Sequence, residues 1–193
     1  MKIDKQVQKK CVSTIKEIAA KTGYKKIQNT IYKMENGNVI FVDFLIVDSI
    51  YLIYRINIKK QSYDKIFWQI MRMEENLKRS DSLRVNGAFA APHVLVAKGK
   101  IELSENVDII ANYFLEKISE ETNSFLEKYD VTQYIFSNND EGDADILQCL
   151  SYIDSGLLSK AKEPAQKQIL LGNTGRFENE GKGFFELVVL YND

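Results

Sequence analysis

Histidine and tryptophan occur once each in 193 residues, and proline and cysteine twice each, and every one of these scarcities removes a class of chemistry. With His93 as the only histidine, a histidine-based triad or a His-rich metal site would have to rest on that one side chain. Cys11 and Cys149 lie far apart, form no metal-ligand spacing, and read as two reduced, buried thiols on helices. No serine sits in a nucleophile elbow, and there is neither a phosphate loop nor a dinucleotide fingerprint. Gly181-Lys182-Gly183 is too short to cradle phosphates by itself. On these grounds no catalytic residue and no cofactor is expected. The longest nearly uncharged run, Phe44 to Tyr54, contains Asp48 and falls short of the roughly 20 residues of a membrane helix, so no membrane partner is expected. The polar start, Met1-Lys2-Ile3-Asp4-Lys5-Gln6, is unlike a signal peptide, and a cytoplasmic location is the expectation.

What is present is an ordinary globular composition, 45% hydrophobic and 27% charged, with net charge −1. The charge is unevenly placed. Residues 1–100 hold 19 Lys+Arg against 9 Asp+Glu, whereas residues 101–193 hold 7 against 18. Two halves of opposite sign either neutralise each other by packing together or present a face to an oppositely charged partner. A protein partner held through the acidic C-terminal half is the sharper expectation.

The clearest structural signal is Asn29 to Lys59, thirty-one residues without proline that read as three consecutive strands after one amphipathic helix. Ile3, Val7, Cys11, Ile15, Ile18 and Ala19 recur at helical steps, and Gly23 supplies a left-handed cap with Tyr24 folding back over the last turn. Asn36-Gly37 between apolar runs predicts a hairpin, and Asp48-Ser49 a second reversal. Lys25 to Met34 is expected as one strand. The third strand ends in an alternation of Tyr54, Ile56 and Ile58 with Arg55, Asn57 and Lys59, which predicts a wet side there. So apolar a set of strands is covered on both faces, or has one covered face and a partly apolar groove on the other.

Beyond the meander, Ser62 is expected to cap a second helix. Asn86-Gly87 and Lys98-Gly99 suggest two short hairpins. Ser104 opens the longest helix, whose apolar stripe runs from Val107 to Tyr129 and whose outer face, with Glu116, Glu120, Glu121 and Glu127, is acidic. The polar stretch Ser137 to Asp143 is the expected boundary between a 1–137 core and a 138–193 extension packed on it. In that extension a helix from Ile146 to Leu157, a short one from Pro164 to Gly172 and a strand over 183–191 are expected, a buried helical turn being the alternative for the last. The fold class is therefore α+β, an antiparallel β meander covered by amphipathic helices with a helical C-terminal extension.

Few residues stand out as chemistry. Asp43 interrupts an apolar strand and needs a partner, for which Arg55 or Arg84 is suited. If a ligand groove lies on the sheet, Asp43, Arg55, Trp68 and His93 are its candidate lining. Asn138, Asp140, Glu141, Asp143 and Asp145 concentrate hard oxygen ligands, with Asp140, Asp143 and Asp145 as the weak metal candidate. Their order departs from an EF-hand loop, and an acidic linker in which Asp143 caps the next helix explains them. Lys2, Lys5, Lys9, Lys10 and Lys16 give the first helix a basic face, but a pI near 6 is unlike a general nucleic-acid binder, so nucleic acid is not the expected partner.

Gly23-Tyr24-Lys25-Lys26, Ile31-Tyr32-Lys33 and the apolar strands that follow resemble a bacterial family catalogued as domain of unknown function 4304, over roughly residues 3–137. The resemblance implies a helix, a glycine-aromatic-basic entry to a meander and a further helical region, and it implies no activity. A binding or protein-interaction module, of the kind an immunity protein represents, is the functional expectation. The alternatives are an enzyme or small-ligand protein using a groove on the sheet, and a nucleic-acid binder using the Lys-rich helix.

Overall fold

Helix α1 (Lys5–Lys21) starts where the side chain of Asp4 can stop it, with Oδ1 accepting the N–H groups of Gln6 at 2.6 Å and Val7 at 2.9 Å. It ends in a Schellman closure: the N–H of Tyr24 donates to Ala19 O and that of Gly23 to Ala20 O, with Gly23 at φ +85°. The computed structural model from which these contacts are taken describes residues 3–138 and 143–192. They form an α+β protein with two compact units, one made of 3–58 and 94–129, the other of 59–93, 130–138 and 143–192. A continuous 1–137 core was the expectation; instead, residues 59–93 group with the C-terminal helices.

The first unit holds a five-stranded antiparallel sheet in the order β1 (Lys25–Ile27), β2 (Thr30–Glu35), β3 (Asn38–Val47), β4 (Tyr51–Lys60) and β5 (Val94–Glu102). The single strand expected from Lys25 to Met34 is two strands, because Gln28 turns the chain with φ +47° and Ile27 pairs with Thr30. The reversals at Asn36-Gly37 and Asp48-Ser49 fall where expected, all four residues taking positive φ. One face of the sheet, carrying Ile31, Val42, Phe44, Leu52, Ile56 and Ile101, packs with α1 and with α4 (Val107–Lys128) into a core that includes Cys11, Ile15, Phe114 and Ile118. Asn106, not Ser104, caps α4, accepting the Ile109 N–H at 3.3 Å.

Neither of the two short hairpins forms. Leu83–Asn86 is a helical turn, α3, and β5 runs straight through Lys98-Gly99. Gly99 serves a close approach instead of a turn: a Cβ there would lie 2.5 Å from the hydroxyl of Tyr54, the residue directly opposite on β4. Tyr54 thus crosses the strand and meets Phe114 edge-on at 5.4 Å between ring centres.

The second unit is built on α2 (Gln61–Ile70), α5 (Val131–Ser137), α6 (Ala144–Asp154), α7 (Leu158–Leu170) and α8 (Phe184–Leu190). Phe67 of α2 stacks on Phe184 at 5.6 Å and meets Phe177 edge-on at 4.7 Å. Buried Tyr63 places its hydroxyl 2.8 Å from Ser151 Oγ and 3.2 Å from Thr132 Oγ1. Three expectations are corrected here. Ser62 does not cap α2, whose N-cap position is Lys60 with no side-chain bond. The segment over 183–191 is helix, not strand: the Glu186 carboxylate accepts the Gly183 N–H at 2.8 Å and fixes the first turn, while Phe184, Phe185, Leu187 and Val188 are buried. Pro164 lies inside α7 instead of starting it, in a helix whose Ala161 and Ala165 are fully buried. Residues 178–179 and 182–183 add a small antiparallel hairpin, β6 and β7.

Candidate functional site

The outward face of the first unit's sheet is not uniform. Val39 and Phe41 are buried there, whereas Leu45 and Ile53, two residues along each strand from polar neighbours, are 52% and 40% exposed. These two form the apolar floor of an open groove of about 800 Å³ that reaches from Asn29 and Thr30 across Asp43 and Arg55 to Lys98 and Lys100. The ladder dictates its charge. Arg55 lies directly opposite Lys98, and Ile53 opposite Lys100, so three cations share a face that one apolar residue divides. Like charges directly opposite on adjacent strands destabilise a sheet. Lys100 is partly compensated by the ring of Tyr51 at 4.9 Å. Among the described residues no carboxylate forms an ion pair with Arg55 or Lys98.

Asp43 lines the same groove, and its carboxylate is occupied otherwise than expected. Oδ1 accepts from Thr30 Oγ1 at 2.6 Å and Oδ2 from Asn57 Nδ2 at 3.1 Å, so it pairs with neither Arg55 nor Arg84. The expected wet side at the end of β4 is correspondingly dry: Asn57 is 1% exposed and Lys59 0%. Lys59 Nζ donates to Asp64 Oδ1 at 2.7 Å and to Ala91 O at 2.9 Å, and the same carboxylate oxygen accepts the Ala91 N–H at 2.9 Å. Arg84 Nη1 stands 3.6 Å from Asp64 Oδ2. Burial lowers the proton affinity of Lys59, with the Asp64 charge opposing. These groups line neither of the two grooves.

Of the four residues singled out in the sequence, the groove brings together Asp43 and Arg55 only. Trp68 is 1% exposed, donates from Nε1 to Phe89 O at 2.6 Å and carries the Arg84 guanidinium 5.0 Å above its ring, so its face is already occupied by a protein cation. His93 is exposed just ahead of β5 and does not line the groove. Lys98 and Lys100 were missed because Lys98-Gly99 reads as a turn; as strand residues two apart they share a face. Of the metal candidates, Asp143 occupies the N-cap position of α6 as expected but makes no side-chain cap bond, its two oxygens holding Arg176 at 2.7 and 2.8 Å, while Asp145 accepts from Gln168 at 2.6 Å. Asp140 lies outside the described residues. Among the described residues no three His, Cys, Asp or Glu side chains are grouped to hold a metal ion, and no helix is long and apolar enough to cross a membrane.

A second groove, also of about 800 Å³, runs between α1 and the sheet. Lys9 and Lys16 line it from the helix and Lys26 from β1, over Val12, Ile31 and Phe44, with Glu17 as the only acidic side chain among the described residues. Burial, then the charge of Lys26, lowers the proton affinity of Lys16, as expected of crowded cations. Both grooves are thus basic at the rim and apolar at the floor. The acidic outer face of α4 is a different surface, on which Ile109 and Tyr113 stand 62% and 46% exposed beside Asp108 and Glu116. No family model matches the chain, and no match is found among curated proteins or solved structures.

Proposed function

We propose that this protein is a binding module for an acidic, partly apolar partner, which it holds on the open face of the five-stranded sheet. The observation that carries the reading is the cross-strand pair Arg55 and Lys98, two cations directly opposite each other beside exposed Leu45 and Ile53. Such a pair costs the sheet about 0.2–1 kcal/mol, a cost that an incoming anion would reverse. A ligand carrying both carboxylates and apolar side chains would satisfy the rim and cover the floor in one event. The surface thereby shifts from the acidic half expected in the sequence to the basic one.

The test is a fluorescence-anisotropy titration with a labelled seven-residue peptide alternating glutamate and valine, at low and at physiological salt. Binding that weakens with salt, and about tenfold or more in Arg55→Glu/Lys98→Glu, which corresponds to about 1.4 kcal/mol or more, is the expected outcome. Absence of binding, or indifference to the double reversal, refutes it. Tighter binding of a thymidine oligonucleotide than of the peptide would favour the nucleic-acid reading. The acidic reading also has one observation on its side, the exposed Ile109 and Tyr113 on α4. Capture of a basic protein that is lost in Glu116→Lys/Glu120→Lys would support it.

A further inference from the structure

The two grooves share Asn29, Phe44 and Leu45, and the sheet explains why. Strand β2 pairs with β3 only as far as Thr30 opposite Asp43, after which one further bond, from the Phe44 N–H to Asn29 O at 3.0 Å, closes the ladder. The chain then leaves through the Gln28 turn, and β3 continues alone to Val47. Among the described residues no strand pairs with Leu45–Val47 on that side. Since the Phe44 N–H points toward β2, alternation aims the N–H and C=O of Ile46 the same way, into the position a continued β2 would have filled. The helix groove lies on one side of that vacant position and the open-face groove on the other.

We propose that this slot takes a short extended segment of a partner protein, alternately acidic and apolar, as an added antiparallel strand on the edge of β3. The inference rests on the reading of an acidic, partly apolar partner above and names its mode: the carboxylates meet the lysines of the helix groove, and Arg55 and Lys98 act on them through the field at longer range. In an added strand alternate side chains point to opposite faces. Those on the helix side meet Lys9, Lys16 and Lys26, which fit carboxylates; those on the other side meet Leu45 and, beyond it, Ile53, which fit apolar groups. The helix wall from Gln8 to Ala20 is about 18 Å long at 1.5 Å per residue. The unpaired edge, Leu45–Val47, is shorter, and at about 3.4 Å per residue it pairs roughly three residues of an added strand. The unpaired backbone of Ile46 supplies an affinity that the side chains alone would not.

The experiment uses the whole protein and the same glutamate-valine peptide, in two further forms: N-methylated at every glutamate amide, or at every valine amide. In antiparallel pairing the residue opposite Ile46 shares its face, so glutamates face the helix and their amides face β3. Methylating the glutamate amides is expected to weaken binding at least tenfold, and methylating the valine amides to leave it within about threefold. Equal loss with both forms, or no loss with either, overturns strand addition, and in the latter case binding through the grooves survives. Ile46→Pro, which removes only the edge-facing N–H, is expected to abolish binding of the unmethylated peptide, with Ile46→Val as the folded control. Self-association of the wild type that Ile46→Pro abolishes, with no effect of the peptide on it, would assign the edge to a second copy and overturn the proposal.

Discussion

Replacing Asp64 by asparagine is the sharpest test of how the second unit is held together. Lys59 and Asp64 are both 0% exposed and 2.7 Å apart, so the substitution keeps an amide oxygen for the Ala91 N–H and for Lys59 but leaves the buried cation without its countercharge. Breaking a buried pair from one side costs about 3–5 kcal/mol, mainly the desolvation of the charge left behind. At about 2–4 °C per kcal/mol for a chain of this size, the midpoint falls by roughly 6–20 °C. The double variant Lys59→Met/Asp64→Asn removes both charges, keeps a stem of similar length, and is expected to recover to within about 1–2 kcal/mol of wild type, the remainder being the donor lost by Ala91 O. Urea titrations followed by circular dichroism and by the fluorescence of Trp68, which belongs to the same unit, measure the cycle. The pH dependence supplies a second reading. Burial holds Lys59 below its usual 10.5, so from its folded value up to 10.5 the unfolded chain binds more protons and stability rises with pH. Lys59→Met is expected to lose that slope. A cost below about 1 kcal/mol for Asp64→Asn, or a double variant no more stable than the single, would refute the assignment of a charged, desolvated pair.

Gly99→Val should cost about 1–3 kcal/mol by driving a side chain into Tyr54, and adding Tyr54→Ala should relieve it; a double variant worse than the sum in thermal melts would contradict the close approach. Asp4→Ala should lower stability by about 1 kcal/mol through the loss of two accepted bonds at the start of α1, read from the urea midpoint. Burial pushes the Cys149 thiol up to about 12, so its contribution to stability is fully present below pH 9 and is lost as pH climbs through about 12. Cys149→Ser should flatten that alkaline decline, and native protein should resist thiol reagents at pH 8 at both Cys149 and Cys11 until denaturant is added.

What the sequence disclosed depended on whether a residue's reason was local. Asn36-Gly37 is legible because a two-residue reversal needs positive φ at both positions, and these residue types tolerate it. Gln28 adopts the same region with no such signature, and the β1–β2 hairpin went unseen. Gly99 was misread because a glycine beside a lysine marks a turn when only neighbours are considered, whereas its need comes from Tyr54, forty-five positions earlier. The segment from Phe184 is apolar nearly throughout, so periodicity cannot separate strand from helix; Glu186, three residues after Gly183, was the available sign. At the candidate site, Asp43 and Arg55 were visible as polar interruptions of apolar strands. The burial of Lys59 was not, because nothing in its own neighbourhood announces Ala91 as a ligand.

The interleaving of the two units sets an order of events during synthesis. Tyr63 and Phe67 emerge early, yet Ser151, Phe177 and Phe184, which partner them, follow roughly a hundred residues later. At about 5–20 residues per second that interval is on the order of ten seconds. During it Tyr63 and Phe67 lack those partners, while the first unit can be completed as soon as residue 129 has been made. A nascent chain stalled after α4 would therefore display one finished unit and an adhesive aromatic segment looped out of it, the species on which chaperones would be expected to act.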